Sequence, residues 1–350
     1  MKIAVINSGS SSLKFKLFEM HSESESVIFS MSLDEIGSSH EKALETILDA
    51  LRKKDITIAD LDAVGHRVVH GGEYFHEATL IDASVIQKID ALSSLAPLHN
   101  PANLAGILSV QKLAPNLKQY AIFDTAFHAT MPKEAYLYAL PLEIYEKHGI
   151  RRYGFHGTSH SFIAKSAAKK LDKSIKELNI ISLHLGNGAS VCAVKNGQSI
   201  DTSMGFTPLE GLVMGSRSGD IDPAIVLYLI QTLGWSVEQV GQMLNRESGL
   251  KGICQESDVR KILDAQDENS QLALRMMIRR IRKYIGAYTT LLPSLDALVF
   301  TGGIGENSQY IRDEVLQGIS IKRSLVINTD EELEIARQIN VYGETLTTKN

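Results

Sequence analysis

Two arginines stand where an arginine has no evident structural duty. Arg67 lies in Gly65-His66-Arg67-Val68-Val69-His70-Gly71-Gly72, and Arg217 lies in Met214-Gly215-Ser216-Arg217-Ser218-Gly219-Asp220. Both sit in short glycine-flanked segments rather than on the polar face of a helix. A guanidinium fork matches a carboxylate or a transferring phosphoryl group, and its charge does not titrate away. The competing use, pairing with a local carboxylate, stays open for each. His156, in Arg151-Arg152-Tyr153-Gly154-Phe155-His156-Gly157, is flanked in the same way and can donate to phosphoryl oxygens. Asp124 comes after a short apolar run, where a carboxylate meets magnesium or an arginine or caps a turn. Eleven histidines occur, none with metal-ligand spacing; His66 and His70 are four apart but lack the glutamate of a zinc-binding helix.

Small-residue loops supply the complementary chemistry. Gly9-Ser10-Ser11-Ser12-Leu13-Lys14 has the look of a P-loop without its second glycine, and Phe15 stands where a magnesium-holding hydroxyl belongs. Gly186-Asn187-Gly188 begins like a dinucleotide fingerprint, but the residues after Gly188 read as strand. Gly302-Gly303-Ile304-Gly305-Glu306-Asn307 sits after a strand and before a helix, where a nucleotide can rest on backbone N–H groups. Taken alone, each loop serves equally well as a tight turn.

Periodicity gives the scaffold that holds these groups. Strands are expected at Ile3–Ile6, Leu13–Phe18, Val27–Leu33, Val64–Val69, Tyr120–Phe123, Ile180–Leu183, Val191–Val194 and Ala297–Phe300. Helices are expected at 40–53, 82–92, 101–113, 160–171, across much of 222–292, and at 330–340 with Asp330 as cap. Asn100-Pro101 reads as a cap followed by proline at the first helical position. Interleaved strands and helices argue an α/β fold. The strand–turn–strand device at Ile3–Lys14 recurs at Ile181–Val191, which suggests two related domains, although two unrelated hairpins would look alike.

A chain of 350 residues exceeds one comfortable core. Its charge of −5 gives no reason to expect nucleic acid or an anionic membrane as partner. Cys192 and Cys254 read as reduced thiols. With no signal-like start and no long apolar run, the expected setting is the cytoplasm.

Together these motifs resemble the acetate kinase family over nearly the whole chain. The matching stretches include Asn7–Phe15, Gly65–Gly72, Ala96–Asn103, Phe123–His128, Arg151–His160, His184–Ser190, Asp201–Pro223 and Phe300–Ser308. The resemblance implies two duplicated actin-like (ribonuclease H-like) domains, each on a mixed five-stranded sheet, flanking a nucleotide cleft. One would comprise residues 1–127 plus 331–350; the other, 128–330, would bind nucleotide and form a homodimer. It implies reversible in-line phosphoryl transfer from ATP to acetate, giving acetyl phosphate and ADP, with magnesium, or manganese in its place. Asp124, Arg67, His156 and Arg217 match the family's catalytic positions, and Asn7 and Glu331 its metal positions. Lys14, His184, Leu185, Gly186, Asn187, Gly188, Asp258, Val259, Arg260, Gly303, Ile304, Gly305, Glu306 and Asn307 match its nucleotide contacts. Arg67, Val69, Leu98, Phe155 and Pro208 would surround the acetate.

A carboxylic acid substrate is already ionised near neutral pH, so Asp124 has no proton to remove and is better read as an orienter of Arg67, Arg217 or magnesium. Relative to the family, the regions after Val27 and between Asn307 and Glu331 are each shorter by about two dozen residues, the scale of a long surface loop. The rival readings are a propionate or butyrate kinase, a shape-switching actin-like ATPase, and an inactive binding protein. The two arginines and small apolar pocket weigh against the ATPase, and the intact arginines, Asp124 and loops weigh against the binding protein.

Overall fold

The computed structural model describes residues 1–9, 11–21, 24–36, 39–97, 99–265 and 267–347, the last five as backbone only. The chain forms two compact units. The first unites Met1–Ala129, Gly157–Ser159 and Asp330–Asn350; the second holds Thr130–His156 and His160–Thr329.

The first unit is built on β1 (Lys2–Ser8), β2 (Ser12–Met20), β3 (Glu25–Asp34), β4 (Ala63–Val68), β5 (Thr79–Leu80) and β6 (Gln119–Phe123), in the order β3-β2-β1-β4-β6-β5. Strands β1, β4 and β6 are parallel, and β2, β3 and β5 run against their neighbours. This is one strand more than the five expected, because Thr79–Leu80 pairs with Ala121 and Tyr120 at the sheet edge. Two residues are too few for a period-2 pattern to declare itself. Alternation along β1 and β2 sends Ala4, Ile6, Leu13, Phe15 and Leu17 to one face, under the helices His40–Arg52 and Asn100–Leu113. Ile3, Val5, Phe18 and Met20 go to the other, under Ile335, Ala336 and Ile339 of the C-terminal helix Glu331–Thr347. That helix lies so close to β4 that a Cβ on Gly65 would come within 2.5 Å of Ile339 and 2.6 Å of Ile335.

The second unit repeats the scheme with β7 (Asn179–Leu185), β8 (Ala189–Lys195), β9 (Gln198–Thr202), β10 (Ala297–Thr301) and β11 (Ser324–Val326), ordered β11-β10-β7-β8-β9. An antiparallel hairpin, a third antiparallel strand and two parallel strands occur in the same order as in β3-β2-β1-β4-β6. The hairpin turns Asn7–Ser12 and Gly186–Gly188 therefore occupy equivalent places in the two units. Strands β7, β8 and β10 are almost wholly buried, as strands covered on both faces must be. The long helix Glu268–Leu291 packs on β7 and β8. Among the described residues, no helix is long and apolar enough to cross a membrane.

Candidate functional site

Each unit gathers a cluster of the predicted residues. In the first, Arg67 lies near the end of β4 and Asp124 directly follows β6, adjacent parallel strands whose register sets Arg67 beside Ile122. Arg67 Nε donates to Asp124 Oδ1 at 3.0 Å and Nη2 to Oδ2 at 2.7 Å, a two-pronged pair. Its Nη1 lies 3.2 Å from Glu331 Oε2. Burial alone would depress the Arg67 pKa, but the charges of Asp124 and Glu331 more than offset this and raise it. Burial raises the Glu331 carboxyl above its usual range; Arg67 opposes this, while Asp124 and Glu332 add to it.

Asp124 is fixed from several sides. It is 2% exposed; its N–H donates to Val68 O at 3.0 Å, and Oδ1 accepts from Thr158 Oγ1 at 3.3 Å. Gly157 N donates to its carbonyl at 2.9 Å, an approach that a Cβ at 157, only 2.2 Å from that oxygen, would forbid. Asp330, as expected, accepts from Leu333 N at 3.1 Å at the start of the last helix. Lys16 binds Asp330 at 3.0 Å and Glu332 at 3.1 Å, so the carboxylates flanking Glu331 have their own cation. Asn7 and the exposed Lys14 face each other across the β1–β2 ladder.

Beyond Val68 the β4 chain leaves the sheet, and two asparagine side chains replace the missing strand partner. Val69 N donates to Asn103 Oδ1 at 3.1 Å, and Asn103 Nδ2 donates to Ser8 O at 2.7 Å, joining the ends of β4 and β1. Asn100 Oδ1 accepts from His70 N at 3.0 Å while its Nδ2 donates to His70 O at 3.1 Å. Asn100 is thus not the cap that the Asn-Pro pair suggested. It lies within the helix, with His99 at the cap position, and its amide serves the strand end. His70 Nδ1 accepts from Gly72 N at 3.0 Å, and burial lowers the ring pKa to about 4, in keeping with a neutral imidazole.

In the second unit, His156 opens the helix Gly157–Lys170 in a left-handed conformation, φ 58°. Its Nδ1 is 2.9 Å from Ser190 Oγ, which is itself 2.8 Å from His160 Nε2; His160 Nδ1 reaches Ser182 Oγ at 2.9 Å. The His156 ring stacks on His184, centroids 4.3 Å apart. A Cβ at Gly188 would lie 3.4 Å from His156 Nε2 and 3.7 Å from Arg217 Nη1, so both groups stand over the β7–β8 hairpin. Arg217 Nη1 donates to Pro208 O at 3.1 Å. Burial lowers the Arg217 pKa, and no carboxylate among the described residues forms an ion pair with it. Gly215 N donates to Asn187 O at 3.1 Å, tying the Arg217 loop to the same hairpin.

A cavity of about 650 Å³ adjoins the hairpin. It collects Gly186, Asn187, Asp258, Val259, Arg260, Gly303, Ile304 and Asn307 from three separate stretches of sequence, together with Ser257, Leu263 and Ser308, which sequence reasoning missed. The predicted His184, Leu185, Gly188, Gly305 and Glu306 do not line it, and Lys14 belongs to the first unit. Gly302–Asn307 is itself a short helix starting directly after β10, not a loop before one. Gly302 has φ 76° and passes so near Leu185 that a Cβ would lie 2.7 Å from the Leu185 carbonyl. Glu306 turns inward: Oε1 accepts from Thr301 Oγ1 at 3.1 Å, Gly302 N at 2.9 Å and Thr329 N at 3.0 Å. Asp258 caps the helix Val259–Asp264 and grips Arg260, which holds its carboxyl down to about 2. Of the expected acyl-pocket residues, Phe155 is buried, Val69 and Pro208 are half-buried, and Leu98 lies outside the described residues.

Residues 30–348 match the model of the acetokinase family. An acetate kinase of Sulfurimonas denitrificans is 50% identical, over 96% of this chain and 98% of its own. Acetate kinase 1 of Vibrio cholerae is 51% identical over 91% of this chain and 86% of its own. Among solved structures, Porphyromonas gingivalis acetate kinase superposes with a TM-score of 0.88 at 38% identity, covering 96% of this chain and 98% of that one. A propionate kinase from Francisella tularensis gives 0.89 at 41% identity, with the same coverage.

Proposed function

Because the chain belongs to the acetokinase family, we propose that it moves a phosphoryl group reversibly between ATP and acetate, giving acetyl phosphate and ADP by in-line transfer. The observation that carries this reading is Arg217, a half-buried guanidinium with no carboxylate partner among the described residues, beside His156 and over a small-residue hairpin. A cation desolvated without a protein counter-charge is matched to an anionic ligand.

Phosphoryl transfer asks chiefly for alignment and neutralisation of charge on the equatorial oxygens. Arg217 and His156 supply fixed donors, and little reorganisation is needed because His156 is held through Ser190. Arg67 orients the acid. Its two-pronged bond to Asp124 sets the plane of the guanidinium, so Asp124 acts by holding Arg67 and takes no proton. The 650 Å³ cavity suits the nucleoside, with Val259, Leu263 and Ile304 offering apolar surface to the base.

Asn7 and Glu331 are the residues that would hold magnesium, or manganese. Two oxygen ligands fit an ion that keeps most of its waters, and the half-buried, acid-flanked Glu331 carboxylate gains from an added cation. When bound, the ion would neutralise phosphate charge. Val69, Leu98, Phe155 and Pro208 would line the acyl pocket. Propionate is the second reading, favoured by the likeness to the Francisella propionate kinase, since one methylene is discriminated by only about 1–3 kcal/mol. The protein acts in the cytoplasm as a homodimer formed through the second unit. Exposed Ile225, Leu227 and Tyr228 on the helix Pro223–Gln231, with Leu233 and Val237 beyond it, support that assembly.

The test is hydroxylamine trapping of acyl phosphate with ATP, magnesium and acetate, propionate or butyrate. Acetate is expected to give the highest kcat/KM. Absence of acyl phosphate with all three acids would overturn the reading.

A further inference from the structure

An aspartate stands three positions from Arg217, and a local carboxylate is the ordinary partner of a half-buried guanidinium. Asp220 is the only acidic residue of the segment Gly211–Asp220, and its charge is directed elsewhere. Arg280, on the long helix, sets Nη1 3.1 Å from Asp220 Oδ2. The same nitrogen donates to Gly211 O at 2.8 Å, and Nη2 donates to Asp220 O at 3.1 Å. Tyr284, one turn along, donates its hydroxyl to the Asp220 carboxylate, 3.2 Å from Oδ1 and 3.0 Å from Oδ2. Asp220 Oδ1 accepts from Gly211 N at 2.8 Å, and Asp220 N donates to Gly211 O at 3.0 Å. The two ends of the Arg217 loop are thus bonded to each other and to one helix.

We propose that Arg280 is a positioning residue for phosphoryl transfer: by engaging Asp220 and Gly211 it closes the base of the loop and keeps the Arg217 guanidinium available to an anionic ligand. This deepens the reading of Arg217 given above and rests on it. Arg280 touches no substrate. Its effect is exerted through charge, because without it the Asp220 carboxylate keeps only the neutral donors Tyr284 and Gly211 N and carries an unneutralised charge three positions from Arg217.

The test compares the natural chain with Arg280→Gln and with the double variant Asp220→Asn/Arg280→Gln. Two quantities are read: the rate at which phenylglyoxal labels Arg217, by peptide mass spectrometry, and kcat with KM for ATP. Arg280→Gln is expected to slow Arg217 labelling and to lower kcat ~10–100-fold, leaving KM for ATP within about twofold. The double variant strands no carboxylate and is expected to recover both quantities to within about fivefold. Unchanged Arg217 labelling in Arg280→Gln would overturn the proposal, as would a double variant no better than the single one. Labelling does not depend on turnover, so a natural chain that labels as described but makes no acyl phosphate would retire the proposed reaction and leave the clasp standing. If Arg280→Gln does not fold, judged by circular dichroism, Arg280→Lys takes its place. It keeps the charge with fewer donors and is expected to label and turn over between the natural chain and the collapse that glutamine would cause.

Discussion

Arg67 and Arg217 have the same side chain and opposite surroundings. Arg67 is held by Asp124 and Glu331, whereas Arg217 donates to the backbone carbonyl of Pro208 and pairs with no carboxylate among the described residues. A guanidinium tied by two carboxylates is oriented before any ligand arrives, and one without a counter-charge is poised to receive an anion. Asp124→Asn keeps the shape of its side chain but loses the charge and one of the two acceptors facing Arg67. The expected outcome is a ~100-fold or greater fall in kcat with a largely retained thermal midpoint. Steady-state kinetics and a melting curve check this, and near-normal turnover would remove even the orienting role. The sequence announced the arginines through their glycine-flanked settings and offered Asp124 as an orienter of either arginine or of magnesium, but it could not say which. Asp124 lies 57 positions from Arg67 and Glu331 much farther, so only the fold could pair them. Lys16, which occupies the carboxylates on either side of Glu331, was hidden for the same reason.

Among the elements, the helix Asn100–Leu113 does unusual work for its length, since two amides one turn apart replace a strand beyond the end of β4. Asn103 spans the ends of β4 and β1 and so links Val69 to Ser8, the neighbour of Asn7. Asn103→Ala removes both bonds, depriving the half-buried Val69 N–H and the buried Ser8 carbonyl of these partners, at a cost of up to about 1–3 kcal/mol for each group. It is expected to raise KM for acetate ~10-fold and to weaken discrimination against propionate, leaving KM for ATP unchanged. Parallel titrations of the three substrates decide it, and a uniform loss across all three would argue for a purely structural part. The Asn-Pro dipeptide carried this helix legibly enough to place its start, yet it misled about Asn100, because a capping asparagine and a buried one look alike in one dimension. Long apolar strands such as β7 and β8 were readable, while β5 and β11, of two and three residues, fell below the reach of any periodicity. The Gly302–Asn307 helix escaped because three of its six residues are glycines, poor helix formers, and tertiary contacts with Leu185 and Thr329 override that preference.

On the scale of the whole molecule, the duplicated strand order explains why two hairpin turns of similar composition recur halfway down the chain. The repeated strand–turn–strand device hinted at that duplication without excluding two unrelated hairpins, and the actin-like form was implied by the family resemblance. The second copy also carries an exposed apolar surface on Pro223–Gln231, and Leu227→Lys is expected to turn the proposed dimer into a monomer in sedimentation velocity. An unchanged dimer would place the interface elsewhere. The close seating of the C-terminal helix on β4 also bears on the order in which the protein is made. Ile335, Ala336 and Ile339 complete the core beneath Ile3 and Val5, yet they leave the ribosome only after the entire second unit has been synthesised. The usual amino-to-carboxyl succession of domain folding is therefore interrupted here. Strands β1 and β2 must wait, with one apolar face uncovered, for Ile335–Ile339 to emerge, and the segment that shields them delivers Glu331 in the same stroke.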